Sequence, residues 1–67
     1  MLDIVLNGEP HLVPARHTLH DLVAALDLEH QALALAVNRQ VVPRKRWPEQ
    51  VLQPHDKVDI VRAIGGG

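Results

Sequence analysis

Apolar residues recur at two different spacings along the chain, and the switches between them mark its elements. Leu2, Ile4 and Leu6 alternate with Asp3, Val5 and Asn7, the period-two pattern of a half-buried strand. Asn7-Gly8 follows, a dipeptide that suits a type I′ hairpin turn, whose two central residues take positive φ. The return strand is expected through His11, Leu12 and Val13, kept short by Pro10 and Pro14 on either side and marked as an edge, because proline donates nothing to a ladder. From Thr18 the spacing turns helical: Leu19, Leu22, Val23 and Leu26 form one stripe, Thr18 suits the N-cap, and Asp21 takes the capping-box position near the positive end of the helix dipole. These signals predict a helix from Leu19 to about Leu26.

Ala32 to Val37 is ambiguous by propensity, since Ala and Leu favour helix, but Leu33, Leu35 and Val37 alternate on one face and select a strand. The small Ala side chains then lie on the second face, which leaves room for a helix to pack closely there. Asn38-Arg39 offers a turn into the short pair Val41-Val42, which Pro43 ends. The stretch from Arg44 through Trp47-Pro48 to Pro54-His55-Asp56 reads as loop or a single helical turn. Lys57 to Ile64 is a second clear strand, with Val58 and Ile60, and Ile64 as a further candidate, pointing inward. The expected fold class is α+β: one mixed sheet carrying one main helix on a face, with residues 1–64 as the domain and 65–67 as a flexible tail.

Composition narrows what such a domain does. Sixty-seven residues form a single core, and that core is aliphatic, because Trp47 is the one aromatic residue. Lys plus Arg is 7 against 8 for Asp plus Glu, so no basic excess is present to neutralise nucleic-acid phosphates. With no Cys, disulfides, thiolate metal sites and thiol nucleophiles are excluded. The start lacks the positive head of a signal peptide and the apolar runs are short, which gives the expectation of a cytoplasmic chain without membrane partners.

Catalytic chemistry finds little purchase. His11, His17, His20, His30 and His55 are scattered; only His17-x-x-His20 has local ligand spacing, and no third ligand is evident, so no metal is expected. The carboxylates fall at helix ends, turns and polar strand positions, and no phosphate-loop, dinucleotide or nucleophile-elbow motif occurs. Arg44-Lys45-Arg46 beside Trp47 reads either as a small phosphate or acidic-partner patch or as a solvated connection, with Trp47 packed under the loop as a cap on the core. Gly65-Gly66-Gly67 is different in kind. It follows directly from the last strand, has no side chains to obstruct a narrow cleft, and ends in a main-chain carboxylate. Three extended residues reach about 10 Å. A carboxylate becomes an acyl donor once adenylated, with AMP as leaving group.

Ile4-Val5-Leu6-Asn7-Gly8, Thr18-Leu19-His20-Asp21-Leu22-Val23, the stretch from Leu35 to Arg44 with Trp47, and Asp56 to Val61 running into Ile64-Gly65-Gly66-Gly67 together resemble the ThiS-type sulfur carriers of thiamine biosynthesis. The resemblance implies a β-grasp, ubiquitin-like fold. It further implies that Gly67 is adenylated with ATP by a ThiF-type enzyme and converted to a thiocarboxylate, with Gly66 and Gly65 as the tail. The sulfur donor would be a cysteine desulfurase or rhodanese-like persulfide, and the acceptor a thiazole synthase of the ThiG type. On this resemblance the chain is a carrier and co-substrate, not an enzyme, and binds no permanent cofactor. Because a recycled carrier needs recognition without permanence, a partly apolar surface near the tail is expected, with Val61, Ala63 and Ile64 as candidate partner contacts. The family commonly has Gly where this chain has His55, and two terminal glycines suffice where this chain has three. Two other readings stay open: the molybdopterin-synthase small-subunit type of carrier, whose aromatic and proline-rich approach to Gly-Gly is missing from Val61-Arg62-Ala63-Ile64, and a non-reactive TGS-like β-grasp binding module.

Overall fold

A computed structural model describes residues 1–62 of the chain. In chain order these are strands β1 (Leu2–Leu6) and β2 (Glu9–Val13), helix α1 (Leu19–Ala25), strands β3 (Leu33–Val37) and β4 (Gln40–Val42), a 3-10 helix (Arg44–Glu49) and strand β5 (Lys57–Arg62). The strands form one sheet in the order β2-β1-β5-β3-β4, with β1 and β5 parallel and every other neighbouring pair antiparallel. The mixed sheet with one helix read from the sequence is thus the observed architecture. The expected extension of the last strand to Ile64 and the division into 1–64 and 65–67 involve positions outside the described residues.

Both hairpins close through residues in the left-handed region, Asn7 (φ 49) with Gly8 (φ 83), and Asn38 (φ 51) with Arg39 (φ 70), as type I′ turns require. The β2 boundary departs from the expectation, because Pro10 lies inside the strand, opposite Val5, instead of flanking it. The bonding parity explains why. The amides of Val5 and Asn7 donate toward β5, to the carbonyls of Asp56 (2.8 Å) and Val58 (2.9 Å), so the ladder bonds of β1 toward β2 come from Leu2, Ile4 and Leu6. Pro10 therefore turns its missing donor toward the open edge of the sheet, where nothing would receive it.

A second departure concerns the faces of β3. Leu35 and Val37 are buried with Leu19, Leu22 and Val23 of α1, whereas Ala34 is exposed and Ala36 half-buried. The helix packs on the Leu and Val side, not the Ala side, because only the larger side chains remove enough apolar surface from water to hold it there. Ile4, Val13, Leu52 and Val58 complete that core, and Trp47, 2% exposed, closes one end of it as expected. The Trp47 indole N–H donates to the Val42 carbonyl at 2.9 Å, which satisfies the one polar group the ring carries inward.

Helix α1 is fixed at both ends by local bonds. Thr18 and Asp21 form a reciprocal capping box, each backbone N–H donating to the other side chain at 3.1 Å. The Thr18 backbone N–H, then its hydroxyl, hold the Asp21 carboxyl below its ordinary value of 3.8, with smaller help from the charges of His17 and His20. At the other end Asp27 (φ 59) donates to the Ala24 carbonyl and Leu28 to the Val23 carbonyl, both at 3.0 Å, the two bonds of a Schellman motif. The stretch after the 3-10 helix is strapped to the helix start, with Leu19 N–H donating to Gln50 O (3.0 Å) and Leu52 N–H to His17 O (2.8 Å).

The last turn before β5 retains a left-handed residue without glycine. His55 takes φ 68, and its N–H donates to the Asp3 carbonyl at 2.6 Å. A side chain with a Cβ pays about 1–2 kcal/mol for that conformation, offset in part by the smaller entropy of its unfolded chain. His55→Gly is therefore expected to raise unfolding stability by about 0.5–1 kcal/mol and His55→Ala to change it little, measured as urea midpoints from Trp47 fluorescence.

Candidate functional site: the open sheet face and the approach to the terminus

The central strand β5 is the element that leads to the candidate reactive residue, and it is pinned at both ends by asparagine side chains. At its start, the Asn38 side-chain oxygen accepts from Lys57 N–H (3.0 Å), while Asn38 N–H donates to the Lys57 carbonyl (2.7 Å). The Asn38 side-chain amide also donates to the buried carboxylate of Asp56 (3.1 Å), whose second oxygen accepts from Gln53 N–H (2.8 Å). Near its end, Ile60 N–H donates to the side-chain oxygen of Asn7 at 2.8 Å. Beyond that point β3 still accompanies β5, through the pairs Ala34↔Val61 and Leu33↔Arg62.

Strand alternation sends Val58 and Ile60 into the helix-covered core and Lys57, Asp59 and Val61 to the opposite, open face. Val61, the candidate contact residue that falls among the described residues, is 61% exposed. The pairing register places Ala34, Ala36 and Val41 on the same open face, with Val5 and Leu12 across the sheet. These five were missed as surface candidates in the sequence. Their signal was the apolar character of the off-core positions, which in a one-sided sheet are ordinarily polar. Of the other expected site residues, Ala63, Ile64, Gly65, Gly66 and Gly67 lie outside the described residues.

The basic run is only partly available as a patch. The Arg44 guanidinium stacks 4.6 Å from the centre of the Trp47 ring and donates to the carbonyls of Gln31 (2.7 Å) and Glu29 (3.4 Å), tying down the loop that leads into β3. Lys45 and Arg46 remain exposed. His17 is half-buried and His20 exposed; among the described residues no three His, Cys, Asp or Glu side chains are grouped to hold a metal ion. Among the same residues no helix is long and apolar enough to cross a membrane.

A five-stranded mixed sheet with a parallel β1–β5 pair at its centre, one helix on one face and, among the described residues, the other face open defines the β-grasp class to which ubiquitin-like proteins belong. Within that class, the model of the ThiS family matches residues 4–67, and the chain belongs to that family. The sulfur carrier protein ThiS of Escherichia coli is 33% identical over 66 residues, covering 98% of this chain and all of that protein. A thiazole synthase of Magnetococcus marinus is 39% identical over 66 residues, which are 98% of this chain but 20% of that longer protein. The crystal structure of the thiamine biosynthesis protein ThiS from Geobacter metallireducens matches the fold with a TM-score of 0.81 at 22% identity, covering 98% of this chain and 100% of the other.

The two faces of β5 predict opposite responses to the same charge. Val61→Lys is expected to leave the unfolding free energy from urea titration within about 0.5 kcal/mol of wild type, because the side chain stands in water. Val58→Lys, at a position 0% exposed, places an unpaired charge in the core and is expected to prevent folding, seen as loss of native Trp47 emission.

Proposed function

We propose that this chain is a sulfur carrier of thiamine biosynthesis, whose Gly67 carboxylate is adenylated and then converted to a thiocarboxylate. The observation that carries the reading is the family match, which runs through the terminal glycines to residue 67, combined with the position of β5 as the central strand that leads into them. The exposed apolar positions around Val61 support a recognition surface beside that exit, since a recycled carrier needs contacts strong enough to select a partner and weak enough to release it.

The chemistry belongs largely to the partners. A ThiF-type enzyme binds the open face around Val61, contacts Ala63 and Ile64 on the way to the terminus, and takes the glycine tail into its ATP site. An oxygen of the Gly67 carboxylate attacks the α-phosphorus of ATP, forming the acyl-adenylate and releasing pyrophosphate. The terminal sulfur of a persulfide, from a cysteine desulfurase or rhodanese-like donor, attacks the acyl carbon and expels AMP. A thiol then cleaves the resulting sulfur–sulfur bond, is itself oxidised to a disulfide, and leaves the thiocarboxylate on Gly67. Glycine at 65–67 suits this passage, having no Cβ to meet the walls of a cleft.

A thiazole synthase of the ThiG type is the proposed acceptor. A stretch similar to this whole chain within a protein named thiazole synthase supports that pairing, because domains that share one polypeptide there are supplied to each other at high local concentration. In this scheme the chain is co-substrate, its own side chains perform no catalysis, and ATP is bound by the partner.

Intact-mass spectrometry tests the proposal. After incubation with ATP, a ThiF-type enzyme, a persulfide-generating system and a thiol, the chain is expected to gain the mass difference between sulfur and oxygen, and a variant lacking residues 65–67 to gain nothing. An unchanged mass, with an enzyme that loads its own carrier in parallel, would contradict the carrier reading.

A further inference from the structure

We propose that Asn7 is a positioning residue for the C-terminal approach: its side-chain oxygen adds a rung to the β1–β5 ladder past the end of β1 and so sets the direction in which the chain leaves the sheet. This rests on the carrier reading above.

In an uninterrupted parallel ladder, the residue whose N–H donates to Val58 O would accept the Ile60 N–H through its own main-chain carbonyl. Asn7 makes the first bond, at 2.9 Å, but its φ of 49 begins the hairpin turn, and the second bond goes to its side-chain oxygen at 2.8 Å instead. Leu6↔Val58 is the last main-chain pair of that ladder, so the amide of Asn7 stands in for one more residue of strand. Among the described residues no rung on the β1 side of β5 follows it. Ile60 is seven positions and Arg62 five positions before Gly67. A strand end free to splay from β1 would have more conformations to lose on entering a partner's cleft, a cost that falls on binding and not on the chemical step.

Asn7→Gly isolates the side chain, because a Gly-Gly turn still supports the type I′ hairpin, while Asn7→Asp keeps an acceptor oxygen at the same place. The rate measured is carrier-dependent ATP–pyrophosphate exchange by a ThiF-type enzyme, together with amide hydrogen exchange of the free chain. Relative to wild type, Asn7→Gly is expected to raise KM for the carrier about two- to five-fold with kcat unchanged, as loss of one exposed hydrogen bond implies, and Asn7→Asp to stay near wild type. In Asn7→Gly the Ile60 amide should exchange faster, while the Val5 amide, bonded to Asp56 O, keeps its protection.

Unchanged Ile60 exchange in Asn7→Gly would overturn the rung itself. Faster Ile60 exchange with unchanged KM would overturn its positioning role. Absence of pyrophosphate exchange with wild type, on an enzyme active with its own carrier, marks failure of the carrier reading instead, and the proposal falls with it.

Discussion

Insertion of β5 between β1 and β3 is the constraint on which the rest of the molecule depends. The last described strand is the middle strand of the sheet, so within the described hydrogen-bonded ladder the first hairpin and the second are joined through it. One of its bonds, from Ile60 to Asn7, spans 53 positions, so the sheet is closed by contacts far apart in sequence. Such pairings gain their bonds only after a large loss of chain freedom. The two asparagines that begin the hairpin turns offset part of that loss, because each lends a side-chain oxygen to an amide of β5, Asn38 at Lys57 and Asn7 at Ile60. Asp56 strengthens the first of these anchors by accepting from both Asn38 and the Gln53 amide.

Division of labour between the two faces follows from this placement. One face buries Ile4, Leu35 and Val58 under α1, with Trp47 and Leu52 sealing the periphery, and supplies the packing that a domain of this size needs. The other bears Val61, Val41 and Leu12 in water among Asp3, Lys57 and Asp59. An uncovered, partly apolar face beside the strand that leads to the glycines is the feature a carrier requires if it is to be recognised by enzymes and released again. The sheet edges are poorly suited to such recognition, since Pro10 removes a donor from the outer edge of β2 and β4 has three residues followed by Pro43.

Elements with strong local signals were legible in the sequence, and features set by distant residues were not. The helix announced itself by its stripe and by Thr18 and Asp21, and the first hairpin by Asn7-Gly8, because both signals act within a few residues. The helix-facing side of β3 was inverted because small alanines suggest close packing, whereas burial went to the larger Leu35 and Val37. Pro10 was set outside its strand because bonding parity, which makes the position harmless, depends on which neighbour β1 pairs with. The second role of Asn7, the anchoring of Arg44 on the loop at Glu29 and Gln31, and the open apolar face all need the three-dimensional register. His55 sits where the family resemblance pointed to Gly, and its φ of 68 lies in the left-handed region that glycine favours.

If the business end of the molecule is the free carboxylate of Gly67, blocking that one group must silence it while the fold stays intact. The most direct measurement is ATP–pyrophosphate exchange by a ThiF-type enzyme on two chains: the protein as it stands, and the same protein extended by one alanine after Gly67. Exchange with the first and none above background with the second, at equal urea stability, is the predicted result. Equal exchange with both would contradict a role for the Gly67 carboxylate.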